Sequence, residues 1–526
     1  MITLIAFSAL LLLAVHRFVI RSLYLSELSN IPGPKLYAIT KWRLALEDWR
    51  GLRTQTIDAL HKQYGPIIRI GPNEIHCNSL TALKTIYGAG SGFERTSFYS
   101  MFDVYGRQNL FTFSSTKAHG DRKKLVANGY AKSVIMRSWA ADLVKKKVSQ
   151  YLELIEMRGT EPHEIFSSLH YFSIDSITQF LYGSKHGGTT ALTPRSLDQA
   201  LLHDILDPAR RQLSWFAVHL PSLTKWLYSR SGYMERIMKP LLPMQKPATY
   251  TGIRAHALRA LQSFEAAVTV DPVATAAEPT IIAQLWKSHN SIKGAVAGSL
   301  DSLDIASECA DHLLAGIDTT ADSLMFLIWA VSRPQNAHIQ RRLIDELHSL
   351  PTEVFEQGVP GLHVVDSLPY LNAVIRETLR LYNPLPASEP RSIGMDRVID
   401  GFQIPAGTVV NMSPYSLHRN ADVFEDPLRF HPERWLSSSP DKLAEMNRWF
   451  WAFSSGGRMC IGLHLAMAEM TALVGAVYRR YETSIAPGFE NKSPAITSRF
   501  ETFYDLKFPE IEEHVCMIIF KRQQAT

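Results

Sequence analysis

Cys460 stands in the run Phe453-Ser454-Ser455-Gly456-Gly457-Arg458-Met459-Cys460-Ile461-Gly462, which leads straight into an apolar stretch from Leu463 to about Arg479. That order predicts a sulfur at a helix N-terminus, where backbone N–H groups and the helix dipole stabilise a thiolate. Gly456 and Gly457 permit a tight turn, and Gly462 lets a flat ligand come close to the backbone. A thiolate held this way can ligate haem iron, with Arg458 reaching a propionate and Phe453 packing beside the sulfur. Two plainer readings compete: a buried structural cysteine, or half of a zinc site shared with His464 one helical turn later. Neither explains the phenylalanine, the glycines and the arginine together.

A second constellation, Ala315-Gly316-Ile317-Asp318-Thr319-Thr320, falls inside a long helical pattern that it suits badly. Gly316 costs a helix roughly 1 kcal/mol against alanine. Thr319 follows Ala315 by four residues, so its hydroxyl can bond that carbonyl and open the helix locally. Such an opening, floored by a glycine, would make room for a diatomic ligand, and an acid beside an alcohol suits proton delivery. Glu377 and Arg380 share one helical face at a spacing that favours pairing. Alone that is weak, since a solvated pair is worth only about 0.5 kcal/mol.

Taken in order, these segments resemble the cytochrome P-450 family. Phe453, Gly456, Arg458, Cys460 and Gly462 match its haem-binding signature F-x-x-G-x-R-x-C-x-G, and residues 315–320 resemble its A-G-x-D-T-T motif. Glu377 and Arg380 resemble its E-x-x-R, with Arg434 of Phe430-His431-Pro432-Glu433-Arg434-Trp435 as the third, structural member. The resemblance implies a mainly α fold with small β-sheets, forming one large domain around haem b (iron protoporphyrin IX), with Cys460 as the axial iron ligand. Arg458 and Arg391 would then contact propionates. Where family members carry W-x-x-x-R, this chain has His119-Gly120-Asp121-Arg122-Lys123, so His119 and Lys123, or else Arg122 or Lys124, are expected at a propionate. Ala315 and Gly316 would line the oxygen groove, Thr319 would hold water against bound dioxygen, and Asp318 would relay protons from solvent.

The implied function is that of a monooxygenase inserting one atom of O2 into a lipophilic small molecule by hydroxylation, epoxidation or multi-step oxidation. Electrons would come from NADPH through a separate reductase, with Arg122-Lys123-Lys124 helping to dock it. The style of the sequence resembles filamentous-fungal members serving secondary metabolism. Oxidative coupling or rearrangement within the same family is the alternative. A haem sensor or carrier is the rival from another class, but it would have no need of Asp318 and Thr319.

The elements that must position these residues are legible in outline. A helix from about Asp304 to Arg333 would carry residues 315–320 and stop at Pro334; another, Tyr370 to Leu381, would carry Glu377 and stop at Asn383-Pro384. Residues 64–77 read as two short strands and 401–410 as small β structure. In Gly88-Ala89-Gly90-Ser91-Gly92 the third glycine falls one place short of a dinucleotide turn, with Phe93 at the required site, so the segment reads as a loop. The stretch Asp271 to Pro279 reads as a surface loop. Phe98, Tyr99, Met101, Phe102 and Tyr105, an aromatic-rich stretch, with Phe500, Phe503 and Tyr504, are candidate pocket residues.

Composition sets the outer bounds. The chain has 526 residues, 46% hydrophobic, with 55 Lys and Arg against 50 Asp and Glu. A net charge of +5 is too small and dispersed for nucleic-acid binding, and four cysteines exclude a disulfide scaffold of this size. Met1 to Val15 is uncharged and the apolar run resumes at Phe18, which predicts an uncleaved single-pass anchor over 1–21, a basic, proline-containing hinge over 22–35, and a catalytic domain over 36–526. Arg17, Arg21 and the basic residues after them leave that domain on the cytosolic side. Resemblance to microsomal members implies the endoplasmic reticulum membrane.

Overall fold

The computed structural model describes residues 2–206, 208–228, 233–238, 251–276, 278–292, 300–494 and 515–524. Eight helices position the site: α1 (Ile2–Ala14), α2 (Trp42–Trp49), α3 (Thr116–Val126), α4 (Trp139–Arg158), α5 (Ile165–His186), α6 (Ser302–Ser332), α7 (Pro369–Leu381) and α8 (Leu463–Arg480). Short strands are β1 (Ile67–Gly71), β2 (Glu74–Cys77), β3 (Glu94–Arg95), β4 (His163–Glu164), β5 (Arg391–Ser392), β6 (Val409–Asn411), β7 (Tyr481–Ile485) and β8 (Met517–Arg522). The larger sheet runs β1-β2-β6-β5-β3, with β6 parallel to β2 and the other pairs antiparallel. A second sheet joins β7, β8 and β4. The expectation of a helical body with small sheets is met.

Thr3–Leu25 is a continuous apolar helix of mean hydropathy 2.1 with no buried residue, π-helical from Val15 onward. It is long and apolar enough to cross a membrane. The hinge after it is docked. Arg69 of β1 donates to the carbonyl of Ser22 (2.8 Å), and its own backbone N–H bonds Pro32 (2.8 Å). Gly33 has φ +153°, and a Cβ there would lie 2.6 Å from the Arg69 carbonyl, so only glycine lets the chain pass this close.

The central helix α6 begins at a reciprocal cap: the Asp301 carboxylate accepts from Asp304 N, and the Asp304 carboxylate accepts from Asp301 N. It ends before Pro334, which forces the preceding residue into extended backbone. Most of its surface is buried in one apolar core with α4, α5, α7 and α8.

Three expectations need correction. Residues 271–279 are not all loop, because Pro272–Ala276 forms a short helix in which Asp271 Oδ1 caps Ala274 N (2.9 Å). The helix is not opened at Thr319. Its hydroxyl does bond the Ala315 carbonyl (2.8 Å), yet α6 stays helical from Ser302 to Ser332, since a carbonyl can accept a second hydrogen bond without losing its first. Nor is Gly316 a groove floor. A Cβ at this position would lie 2.5 Å from Cγ1 and 3.0 Å from Cβ of Ile177. Its bareness is what lets α6 lie against α5, and a β-branched isoleucine has little rotamer freedom to yield.

Gly316→Ala therefore tests packing against propensity. Alanine gains about 1 kcal/mol as a helix former, while overpacking costs about 1–3 kcal/mol. The variant should melt at a lower temperature by circular dichroism; a higher melting point would refute the packing role.

Candidate active site

The cysteine loop is built by close backbone approach. Residues Gly456–Arg458 form a 3-10 turn, Met459 N bonds Gly456 O (3.2 Å), and Cys460 N bonds Phe453 O (2.9 Å). Gly456 has φ +61°, and a Cβ there would lie 2.5 Å from the carbonyl of Tyr87, so the turn glycine is required twice over. Gly462 precedes the first residue of α8, and Cys460 Sγ is the nearest atom to the space above it. All four cysteines are free thiols, and Cys460 alone is exposed. Its thiol is nonetheless pushed up by the surrounding protein, against the pull of the Gly462 and Leu463 N–H groups and Lys123. The bare sulfur thus favours the thiol, and the expected thiolate needs a coordinated cation, which deprotonates a thiol outright. Among the described residues, a close group of three metal-binding side chain types occurs at Glu308, Asp311 and His312, without Cys460 or His464.

Around this loop lies an excess of buried cations. Arg391 is buried and donates to the Tyr99 hydroxyl (2.6 Å) and to Glu389 (3.1 Å). Arg95 of β3 is buried beside the Tyr99 and Phe111 rings, and its Nε has no hydrogen-bond partner among the described residues. Arg458 donates to the carbonyls of Phe113 (2.7 Å) and Ser114 (2.8 Å). Burial, Arg95 and Arg391 push it down to about 9. His119 is pushed down to about 3 by burial and then by Arg458, Arg95, Lys123 and Arg391. Four basic side chains crowded together, one with an orphaned N–H, fit a dianion such as the paired propionates of haem.

The structure redistributes the expected contacts on α3. His119 is buried and neutral, so it offers one N–H instead of a charge. Lys123 braces the cysteine loop, donating to the carbonyls of Gly457 (3.1 Å) and Met459 (3.0 Å). Arg122 turns the other way, into a buried ion pair with Glu308 of α6 (2.8 Å). Lys124 is exposed and pairs with Asp121, so of the three basic residues expected to dock a partner, Arg122 is committed to the interior. Through Arg122 and Lys123, α3 ties the cysteine loop to α6 two turns before Ala315. On α6, Ala315 is exposed and Gly316 and Thr319 are partly so, while most residues around them are buried. Asp318 is buried, its Oδ1 lying 4.0 Å from His170 Nε2 on α5.

Glu377, Arg380 and Arg434 meet as expected, fully inside the protein. Glu377 accepts from Arg380 Nη2 and Nε (both 2.9 Å), Arg434 Nε (3.1 Å), Trp435 Nε1 (3.0 Å) and His431 N (2.9 Å). Arg380 also donates to the carbonyls of His418 (2.7 Å) and Pro427 (2.8 Å). His418 Nε2 accepts from Trp451 N (2.8 Å), and Trp451 Nε1 donates to Ser455 in the cysteine loop (3.0 Å).

Residues 32–503 match the Cytochrome P450 family. The chain belongs to the cytochrome P450 family. Similar proteins are the cytochrome P450 monooxygenases stcB of Emericella nidulans, 30% identical over 88% of this chain and 83% of the relative, and aflV of Aspergillus parasiticus, 29% identical over 92% and 90%. A third, tazI of Aspergillus terreus, is 28% identical over 97% of both chains. This P450 is therefore a monooxygenase-class oxidoreductase of a haem-thiolate family. Of the candidate pocket residues, Tyr99 is buried and holds Arg391, while Phe98, Met101, Phe102 and Tyr105 are half-buried; Phe500, Phe503 and Tyr504 lie outside the described residues. Arg95 escaped the sequence reading. Its sole signal was an arginine next to an aromatic stretch.

The Glu377 cluster has a pH signature. Burial alone would raise this carboxyl, but Arg380, Arg434 and the His431 N–H outweigh it and hold the group below its ordinary 4.5. A depressed carboxyl adds stability that is fully present above the unfolded value and is lost as pH falls through the folded one. Glu377→Gln should therefore be destabilised near neutrality and show a flatter acid branch than the wild type in denaturant midpoint against pH. Glu377→Ala, which strands two buried arginines, should cost about 3–5 kcal/mol and yield little folded haem protein.

Proposed function

We propose that this P450 inserts one oxygen atom from O2 into a lipophilic small molecule, with electrons passed from NADPH by a separate reductase. The observation that carries the reading is the joint placement of an accessible Cys460, a buried cation cluster and an intact Asp318–Thr319 pair, linked by α3. Cys460 is the iron ligand in this reading. Arg95, Arg391, Arg458 and His119 hold the propionates, and Lys123 fixes the loop that carries the sulfur. A thiolate-ligated haem supplies dioxygen binding and reductive cleavage of the O–O bond. Thr319, anchored to the Ala315 carbonyl, presents its hydroxyl oxygen as an acceptor on the open face of α6 and positions a proton donor there. Asp318 supplies the proton.

Thr3–Leu25 is the membrane anchor in this proposal, with the domain on the cytosolic face of the endoplasmic reticulum, because Arg17, Arg21 and the basic hinge follow the apolar run. Trp42, Leu46 and Trp49 of α2 stand with Trp215 and Phe216 around an apolar surface recess, amphipathic aromatics of the kind that favour a membrane interface. The fungal origin of the relatives supports a place in secondary metabolism.

Two measurements test this. The reduced carbon monoxide complex should show the strongly red-shifted Soret band of thiolate ligation, absent in Cys460→His; a variant keeping that band would overturn the ligand. With a confirmed substrate, Thr319→Ala should keep haem content and substrate binding yet divert NADPH into peroxide, whereas Asp318→Asn should slow turnover. Unchanged coupling and rate in both would remove the proton-delivery role.

A further inference from the structure

The contact between α5 and α6 that Gly316 makes possible also buries a histidine that nothing above employs. His170 of α5 is fully buried and its ring lies tilted against that of Phe166, centroids 4.1 Å apart. Its Nδ1 lies 2.7 Å from the Phe166 carbonyl. A carbonyl can only accept, so Nδ1 carries the hydrogen, and Nε2 is the nitrogen whose protonation can change. Nε2 has no hydrogen-bond partner among the described residues. It faces α6, 3.7 Å from Asp322 Oδ1 and 4.0 Å from Asp318 Oδ1. The two aspartates are four residues apart on one helical face and approach the same nitrogen, which has room for one hydrogen bond.

We propose that His170 is the positioning residue of Asp318: its Nε2 engages either Asp318 or Asp322, and this competition sets how Asp318 presents its carboxyl toward the Thr319 side of α6. The inference rests on the proton-delivery role proposed above for Asp318. Both separations exceed hydrogen-bond length, so a small rotation of one side chain selects the partner. With Nε2 an acceptor, whichever of Asp318 and Asp322 engages it does so as the protonated carboxyl, donating its O–H to Nε2. If the proton crosses, the O–H bond breaks, an Nε2–H bond forms, and a carboxylate faces an imidazolium until the proton returns. Burial pushes the ring down to about 4, so the acceptor form prevails near neutrality. Glu469 and Lys147 are further ionisable groups of this layer. Glu469 of α8 is pushed up to about 8 by burial, and Lys147 of α4 lies 3.7 Å from Asp175 of α5.

The test uses the haem-loaded full chain with 15N-labelled histidine, in wild type, His170→Phe, His170→Gln, Asp318→Asn and Asp322→Asn. His170→Phe keeps a ring beside Phe166 but removes both nitrogens. It should retain haem content and the substrate-induced spectral shift, lose coupling of product to NADPH, and shift the pH profile of that coupling. His170→Gln, which places an amide near the Nε2 position, should restore part of the coupling. In the diamagnetic ferrous carbon monoxide form, the His170 Nε2 resonance should move in both aspartate variants. Wild-type coupling and pH profile in His170→Phe, or an Nε2 resonance unmoved by Asp318→Asn, would overturn the proposal; if His170→Phe does not load haem, the resonance decides. An unimpaired Asp318→Asn would instead bring down the proton-delivery reading itself, whereas an impaired Asp318→Asn beside a wild-type His170→Phe would remove His170 alone.

Discussion

Five donors converge on the carboxylate of Glu377 inside the protein, and the geometry of the cysteine loop depends on that grip. Arg380, held by Glu377, fixes the carbonyl of His418; His418 receives the backbone N–H of Trp451; Trp451 reaches Ser455. Each link is buried or nearly so, where an unmade hydrogen bond costs about 1–3 kcal/mol. The sulfur of Cys460 is thus located by a chain of obligatory partners that begins on α7, more than by its own loop. Lys123 closes the loop from the other side, and Arg122 carries the constraint into α6.

Much of this was legible locally. The sequence placed α6 at about Asp304–Arg333 and α7 at Tyr370–Leu381, each within two residues of Ser302–Ser332 and Pro369–Leu381, because a cap and a proline are read from adjacent residues. The pairing of Glu377 with Arg380 and the glycine turn at Gly456 were legible for the same reason. What escaped depends on residues distant in the chain. Gly316 looked like the floor of a groove until Ile177 was seen against it. Lys123 looked like an anion ligand until two loop carbonyls were seen within its reach. Arg95 gave almost no signal, since its meaning lies in Arg391 and Arg458 arriving beside it. Asp318 looked like a solvent relay, and its burial against α5 could not be read from its neighbours on α6.

The positive charge of Arg95 and Arg391, both buried, and of the partly buried Arg458 bears on how the protein comes to exist in a cell. Like charges gathered away from water oppose folding until an anion arrives among them. A ligand that binds only the folded chain then adds its binding free energy to stability. Capture of an anionic prosthetic group among these arginines would therefore complete the folding of this domain, leaving the empty chain as its less stable form.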